Sequence, residues 1–472
     1  DKPPLSMWLM AVSFLLGGIN DVMLRLWNIL AGLALVLVTY RIARLGAGEE
    51  ESLLAAVILA TMFQPFYLTL APQQDVPLAL FLALAFYAYL RYRQEGSTGQ
   101  AALMGVWVAL AILTKGILSL AAFAAIAAVD LVLARRKQTD VGFWRWPQIS
   151  VAAAVCVIIA APWFVVGSIR QGMPFINTFF LTGPLGLGRF FIPKQAPLPY
   201  WLAVVAYVPM LVFWMMPWTG FLPGAVSVAR RQWSEGPRSL RLCVLWAGLY
   251  VLALSLSPGD KVYRHLHPVF PPLAVLVARA VMEAFASQRR LRTAALLSLA
   301  VGLPILVAGG VFLAGQGSNS TAVYRPIAIP FLIALALTIA AFGVVGLMDR
   351  RRLAIAALAA GTIAAYGLLE WKIMQTWESI WPWRRVATTI HRLYRPGDRV
   401  MLVGVLNGEA EYMFYHVEVP LTTTDDASLT QAWTKGRVFA VVPSDSLARL
   451  QERFRPQVLV QMPAGWALVT NR

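Results

Sequence analysis

Residues 71–93 read APQQDVPLALFLALAFYAYLRYR, a helix-length apolar run preceded by one carboxylate, Asp75, and closed by Arg91 and Arg93. In a chain this apolar, the two ends of such a run lie at opposite faces of a bilayer. The Arg pair marks the cytoplasmic face, because short cytoplasmic loops collect Lys and Arg. Asp75 then falls at the outer mouth, near membrane depth, where an ionisable group is costly and usually functional. The competing reading is an Asp that only caps a helix N-terminus.

Composition supports the membrane setting. The chain has 472 residues, 59% hydrophobic and 13% charged, with a mean hydropathy of +0.65. A soluble domain carries about twice that charged share, and many apolar runs reach the ~20 residues that cross a hydrocarbon core. A polytopic α-helical membrane protein is expected. The net charge of +17 does not point to nucleic acid, because the basic residues come in short clusters between apolar runs, as orientation signals do. Cys156 and Cys243 both fall inside apolar runs, so no disulfide framework is expected. The histidines, His265, His267, His391 and His416, are too few for a multi-His metal site. The chain opens on Asp1 rather than Met, and its natural N-terminus is expected upstream.

Residues 5–18 are apolar but short, suited to an interfacial or partly inserted helix. Spans are predicted at 24–44, 52–72, 76–92, 101–115, 117–134, 149–168, 200–222, 239–257, 267–285, 294–314, 325–348 and 353–373. Basic clusters at Arg41/Arg44, Arg91/Arg93, Arg135–Lys137, Arg230–Arg241, Arg289–Arg292 and Arg350–Arg352 fall at every second connection, the positive-inside pattern. Parity places the 1–23 and 170–199 loops, Asp75, Lys115, Ser257–His267 and everything beyond 374 outside. The sequon Asn319-Ser320-Thr321 also falls there, though so short a motif is commonly chance. Two domains are expected: residues 1–374 in the membrane, and 375–472 as a small extracytoplasmic α/β domain. The latter rests on β-rich runs at 399–405, 437–443 and 457–462, alternating with helix-like stretches at 408–416 and 445–454. It shows no phosphate loop, triad or metal spacing, so support or acceptor docking is its expected role.

The outer side should be poor in positive charge, so Lys2, Arg25, Lys115, Arg170, Arg189, Lys194, Lys261 and Arg264 are informative exceptions. Such a group near the outer membrane surface suits an anionic ligand, and a lipid phosphate is the obvious one at that depth. Singly, each could merely snorkel to headgroups. Lys2 lies in DKPPL, where two prolines stiffen the backbone. Lys115 closes a run in LTKG, where it could equally be a helix C-terminal cation. SPGDKVYRHLHPVFPP (257–272) gathers Asp260, Lys261, Tyr263, Arg264, His265 and His267. These histidines could bind a metal if the segment is extended, or hydrogen-bond phosphate or hydroxyl groups. The 170–199 loop is aromatic and glycine-rich, with Arg189 and Lys194 beyond its opening Arg170, and is expected to lie on the membrane and rim a cavity for a lipid chain.

The ordered set DKPPL…GGINDVMLRL, Asp75, LTKG (113–116), APWF (161–164), F…GRFF…PYW (179–201), MPW (216–218) and SPGDKVYRHLHPVFPPLAVL (257–276) resembles the bacterial dolichyl-phosphate-mannose-protein mannosyltransferase-like family, of the lipid A 4-amino-4-deoxy-L-arabinose transferase type. The resemblance covers nearly the whole chain, and it is the order of the motifs that is specific. It implies a C-type membrane glycosyltransferase of about thirteen spans, of which about twelve are visible. It also implies an outer active site, a polyprenyl-phosphate sugar donor, and a glycolipid, glycan or protein acceptor, in a monomer of the bacterial inner membrane. The family's principal catalytic carboxylate precedes the KPPL-like segment, and this sequence begins just after that point. Asp75 matches the second outer carboxylate, implicated in metal or acceptor handling. Lys2 matches the Lys near the donor or metal site, and Lys261 with Tyr263–His267 matches the segment meeting the donor phosphate.

Displacement at an anomeric carbon with a lipid phosphate leaving needs charge neutralisation rather than protonation. The acceptor needs orientation and, if a hydroxyl, a carboxylate base, so Asp75 is the expected catalytic residue, as second-carboxylate partner of a catalytic acid that precedes this sequence. Lys2, Lys261, Arg264, Tyr263, His265, Lys115 and Arg189 are expected to hold donor phosphate, with a divalent metal ion as candidate cofactor on Asp75 and His265. The rivals are a flippase or transporter of lipid-linked sugars, which would show internal repeats and mid-span charges, and a non-catalytic homologue.

Overall fold

The structure, a computed structural model, describes all residues except 1–2, 137–143, 182–187, 189–198, 259–260, 316–321, 349, 405–420 and 472. The described helices run α1 (Leu5–Gly17), α2 (Asp21–Arg44), α3 (Glu49–Thr61), α4 (Phe63–Leu70), α5 (Asp75–Glu95), α6 (Thr98–Lys115), α7 (Leu118–Arg136), α8 (Trp146–Gln171), α9 (Met173–Phe179), α10 (Tyr200–Val205), α11 (Tyr207–Trp214), α12 (Leu222–Glu235), α13 (Arg238–Leu256), α14 (Phe270–Ala286), α15 (Gln288–Leu297), α16 (Leu303–Gly315), α17 (Arg325–Leu347), α18 (Arg351–Ile380) and α19 (Trp383–Leu393). Ten helices, or up to 12 spans if each bent pair counts as one, are long and apolar enough to cross a membrane. Every predicted span overlaps one of them. The exceptions to straightness are α3–α4, bent by 58°, and the α10–α11 segment against the helical stretch 218–233, bent by 117°.

Those bends have a local cause. Pro65 cannot donate into the α3 ladder, so the chain turns at Met62, whose ψ of 140° is extended. The Phe63 N–H this frees donates to the Met216 carbonyl at 3.0 Å, and beside it Trp218 Nε1 donates to Thr61 Oγ1 at 2.9 Å. The two breaks therefore meet, and irregular backbone is tolerated at this depth because protein buries it.

The chain divides into two compact units, 1–302 with 339–359, and 303–338 with 360–472. The boundary read at 374/375 falls inside α18, which runs on to Ile380 because nothing breaks it before Pro382. In the first unit α5 is the central helix. Ala79, Ala83, Phe86 and Tyr89 are among its buried residues, and α2 and α6 pack on it. At its end opposite Asp75 a polar knot is fully enclosed. Arg93 donates to the Tyr89 hydroxyl at 2.9 Å, that hydroxyl donates to Asp130 at 2.7 Å, and the Arg93–Asp130 pair closes at 3.7 Å.

The second unit carries a five-stranded sheet of β1 (Arg399–Val403), β2 (Leu421–Thr424), β3 (Val438–Pro443), β4 (Gln457–Met462) and β5 (Trp466–Thr470), ordered β2-β1-β3-β5-β4. β2, β1 and β3 are parallel, while β5 is antiparallel to β3 and to β4. Alternation sends Val400, Leu402, Phe439 and Val441 to one face and Met401, Val403, Ala440 and Val442 to the other. Trp383, Val386, Ala387 and Ile390 of α19 cover the first face. The second is covered by α20 (Asp426–Trp433) and α21 (Ser444–Arg453). The three predicted strands and the 445–454 helix are present, and the stretch 408–416 lies outside the described residues.

Removing one partner of a buried pair strands the other, at a cost of about 3–5 kcal/mol, whereas removing both is far milder. Asp130→Leu is therefore expected to lower the thermal midpoint of the detergent-solubilised protein sharply, and Arg93→Leu combined with Asp130→Leu to recover most of it. A double variant no more stable than the single would contradict this account.

Candidate functional site

Asp75 is the first residue of α5, where a carboxylate meets the positive end of the helix dipole. It is not the N-cap: that position is Gln74, whose side chain makes no capping hydrogen bond. The turn before it is pinned from two sides. Asn28 of α2 donates to the carbonyls of Ala71 and Gln73, the latter at 2.9 Å, and Arg264 donates to the Gln73 side chain at 3.2 Å.

Lys115, the last residue of α6, forms an ion pair with Asp75 Oδ1. α6 ends there because Gly116 takes a φ of 99°, which only glycine adopts without strain, and this turn sets the ammonium beside the carboxylate. Lys115 stands at the negative end of its own helix as Asp75 stands at the positive end of α5, so both dipoles support the pair. The two residues are not equally hidden: the lysine side chain is 22% exposed and the aspartate 3%.

That exposure is toward a cavity of about 300 Å³. Its walls are apolar: Leu78 from α5, Leu118, Ala122 and Ile126 from α7, Leu249 and Ala253 from α13. Lys115 and His265 are its ionisable lining residues, with Ser119 and Tyr250 as further polar groups. An apolar cavity with an ammonium in its lining has the chemistry of a site for a lipid chain bearing an anionic head.

The segment 257–272 folds into a 3-10 turn over Tyr263–Val269 packed on α5. The Tyr263 ring stacks on Trp214 at 4.6 Å, Trp214 stacks on Phe63 at 5.0 Å, and Gln64 donates to the Tyr263 carbonyl at 2.7 Å. Tyr263 thereby joins an aromatic wall with Tyr67. The Lys261 ammonium donates to the carbonyls of Leu254, Ser255 and Ser257 and sits 5.5 Å from the Tyr207 ring centre, so it closes the C-terminal end of α13. His267 is fully buried, with neither ring nitrogen hydrogen-bonded to a described residue.

Of the site residues read from the sequence, the structure thus brings Asp75, Lys115, Arg264, Tyr263 and His265 to one region and gives Lys261 a helix-end role. Lys2, Arg189, Lys194 and Asp260 lie outside the described residues. Among the described residues no group of three His, Cys, Asp or Glu side chains could hold a metal ion, and the Asp75 carboxylate is already engaged by Lys115. A divalent cation on Asp75 and His265 therefore does not fit the described donor set. Sequence reading missed Asn28 and Gln73, which position the site through backbone and amide contacts that leave no motif.

Fold and site define a polytopic membrane protein of the C-type glycosyltransferase fold. The crystal structure of ArnT from Cupriavidus metallidurans bound to undecaprenyl phosphate matches it with a TM-score of 0.81 at 20% identity, over 100% of this chain and 88% of that one. Residues 1–165 match the model of the dolichyl-phosphate-mannose-protein mannosyltransferase family. The undecaprenyl phosphate-alpha-4-amino-4-deoxy-L-arabinose arabinosyl transferase of Erwinia tasmaniensis is 29% identical over 324 residues, 67% of this chain and 56% of that protein. Its namesake from Shewanella sediminis is 26% identical over 296 residues, 61% and 51% of the two chains. The chain thus spans about half the length of these curated relatives.

Lys261→Met removes the donor to three carbonyls, and buried acceptors left unsatisfied cost about 1–3 kcal/mol. The expected result is a lower thermal midpoint. An unchanged midpoint would show that the α13 carbonyls find other partners.

Proposed function

We propose that this protein is an integral-membrane glycosyltransferase of the bacterial inner membrane. In this reading it moves a sugar from a polyprenyl-phosphate donor to an extracytoplasmic acceptor, a lipid A-like glycolipid before a glycan or a protein. The observation that carries the reading is the apolar cavity lined by Lys115. The relatives named as arabinosyl transferases support the donor class, and the parity of the basic clusters supports an outward-facing site with the C-terminal α/β domain on the same side. The protein is taken to act as a monomer.

In the proposed reaction an acceptor oxygen attacks the anomeric carbon as the bond from that carbon to the phosphate oxygen breaks, and the electron pair leaves with the lipid phosphate; a phosphate acceptor attacks as the anion, and a hydroxyl acceptor gives its proton to the departing phosphate. That anion needs a cation already in place, which acts without reorganisation in a water-poor site. Lys115 supplies it from the cavity wall, with His265 as a hydrogen-bonding partner and Arg264 on the adjoining turn. Asp75, behind Lys115, acts as a positioning carboxylate that holds the ammonium in its orientation. Neutralisation is assigned to these side chains, and no step is routed through a metal.

Incubating the full-length protein with polyprenyl-phosphate sugars and candidate acceptors tests this. Lys115→Met is expected to reduce transfer at least about a hundredfold, as loss of one preorganised charge-stabilising donor does. Product formation undiminished in that variant would remove Lys115 from the reaction. A flippase would instead move lipid-linked sugar across proteoliposomes without altering it.

A further inference from the structure

The mechanism leaves one buried group unused. His267 lies in the 3-10 turn over Tyr263–Val269, is wholly excluded from solvent, and has no hydrogen-bond partner for Nδ1 or Nε2 among the described residues. The Phe270 ring centre is 6.3 Å away, the turn packs on α5, which Asp75 opens, and the charges of Asp75 and Lys115 both act on the imidazole. It is not among the residues lining the cavity. A buried polar ring without a partner is destabilising, and an aliphatic side chain of similar volume would avoid that cost.

The pair it faces has a conflict of its own. Lys115 must neutralise an incoming phosphate from the cavity, yet the same ammonium is bound to Asp75. A phosphate that draws Lys115 toward the cavity leaves a carboxylate nearly enclosed and short of its cation. Such a carboxylate needs a replacement donor. An imidazole carries at least one ring N–H in either protonation state, so His267 can supply one without adding a fixed charge.

We propose that His267 is a positioning residue that takes over the Asp75 carboxylate when the donor phosphate engages Lys115, so that the lysine can be shared with the ligand at low cost. This deepens the donor reading given above and rests on it.

The test is titration of the purified full-length protein, in lipid nanodiscs, with polyprenyl phosphate, a probe that needs neither sugar nor turnover. Wild type is compared with His267→Leu and His267→Gln, each also made together with Asp75→Asn. His267→Leu is expected to bind about tenfold more weakly, because a hydrogen bond to a charged group is lost. His267→Gln keeps an N–H donor and should stay within about threefold of wild type. In the Asp75→Asn background the Leu substitution should change binding by less than about twofold, since its effect acts through that carboxylate.

Equal binding by wild type and His267→Leu overturns the inference and leaves the donor reading standing. A Leu effect of undiminished size beside Asp75→Asn also overturns it, showing that the imidazole only packs. Wild-type protein that binds no polyprenyl phosphate overturns the donor reading and this inference with it. If His267→Leu fails to give a monodisperse protein, His267→Met takes its place, and equal binding by the Met and Gln variants counts against the proposal.

Discussion

The pairing of Asp75 with Lys115 is the constraint on which the rest of the first unit depends. A carboxylate and an ammonium at membrane depth are each too costly to stand alone, and each is at the helix end whose dipole favours it. Bringing them together ties the start of α5 to the end of α6. Gly116 then turns the chain into α7, which forms one wall of the apolar cavity. Charge, turn and cavity are thus one arrangement: the cavity is lined by a cation because the ion pair is there.

The region around that pair is held by irregular backbone rather than by regular helix. The Ala71–Gln74 turn is fastened to α2 through Asn28 and to the 3-10 turn through Arg264. The two bent helical segments meet where their ladders are broken: the freed Phe63 N–H donates to the Met216 carbonyl, and the Trp218 indole donates to the Thr61 hydroxyl beside it. Stacked rings of Phe63, Trp214 and Tyr263 fill the space between. Unpaired backbone groups facing lipid would be prohibitive, so such geometry survives only inside protein, and it is there that a ligand can approach the main chain.

At the other end of the helices, charges that orient the chain also tie it. Arg93 is enclosed with Tyr89 and Asp130, and Arg279 holds the buried Glu51 at 2.7 Å. Glu283 accepts from both Arg231 and Arg290. The two ends of α5 are therefore each fixed by an ion pair, roughly 27 Å apart at 1.5 Å per residue between Asp75 and Arg93. The middle is left to small and aromatic packing.

Much of the architecture was legible from residue order alone, for a physical reason. Hydrocarbon permits so few backbone solutions that apolar run length and the alternation of basic clusters specify the spans. Asp75, Lys115 and the 257–272 segment were visible because charge at membrane depth is costly enough to need explaining. The strands 421–424 and 466–470 were not, since LTTT is polar and WALVT is short, and both are strands only through pairing with neighbours already in the sheet. What tertiary structure alone decided is which cation meets which partner. Lys261 and Lys115 look alike in sequence, yet one is spent on helix carbonyls and the other faces the cavity with Asp75 behind it. Composition and periodicity act along the chain. A choice between two lysines depends on distances across it, and those exist only once the helices have packed.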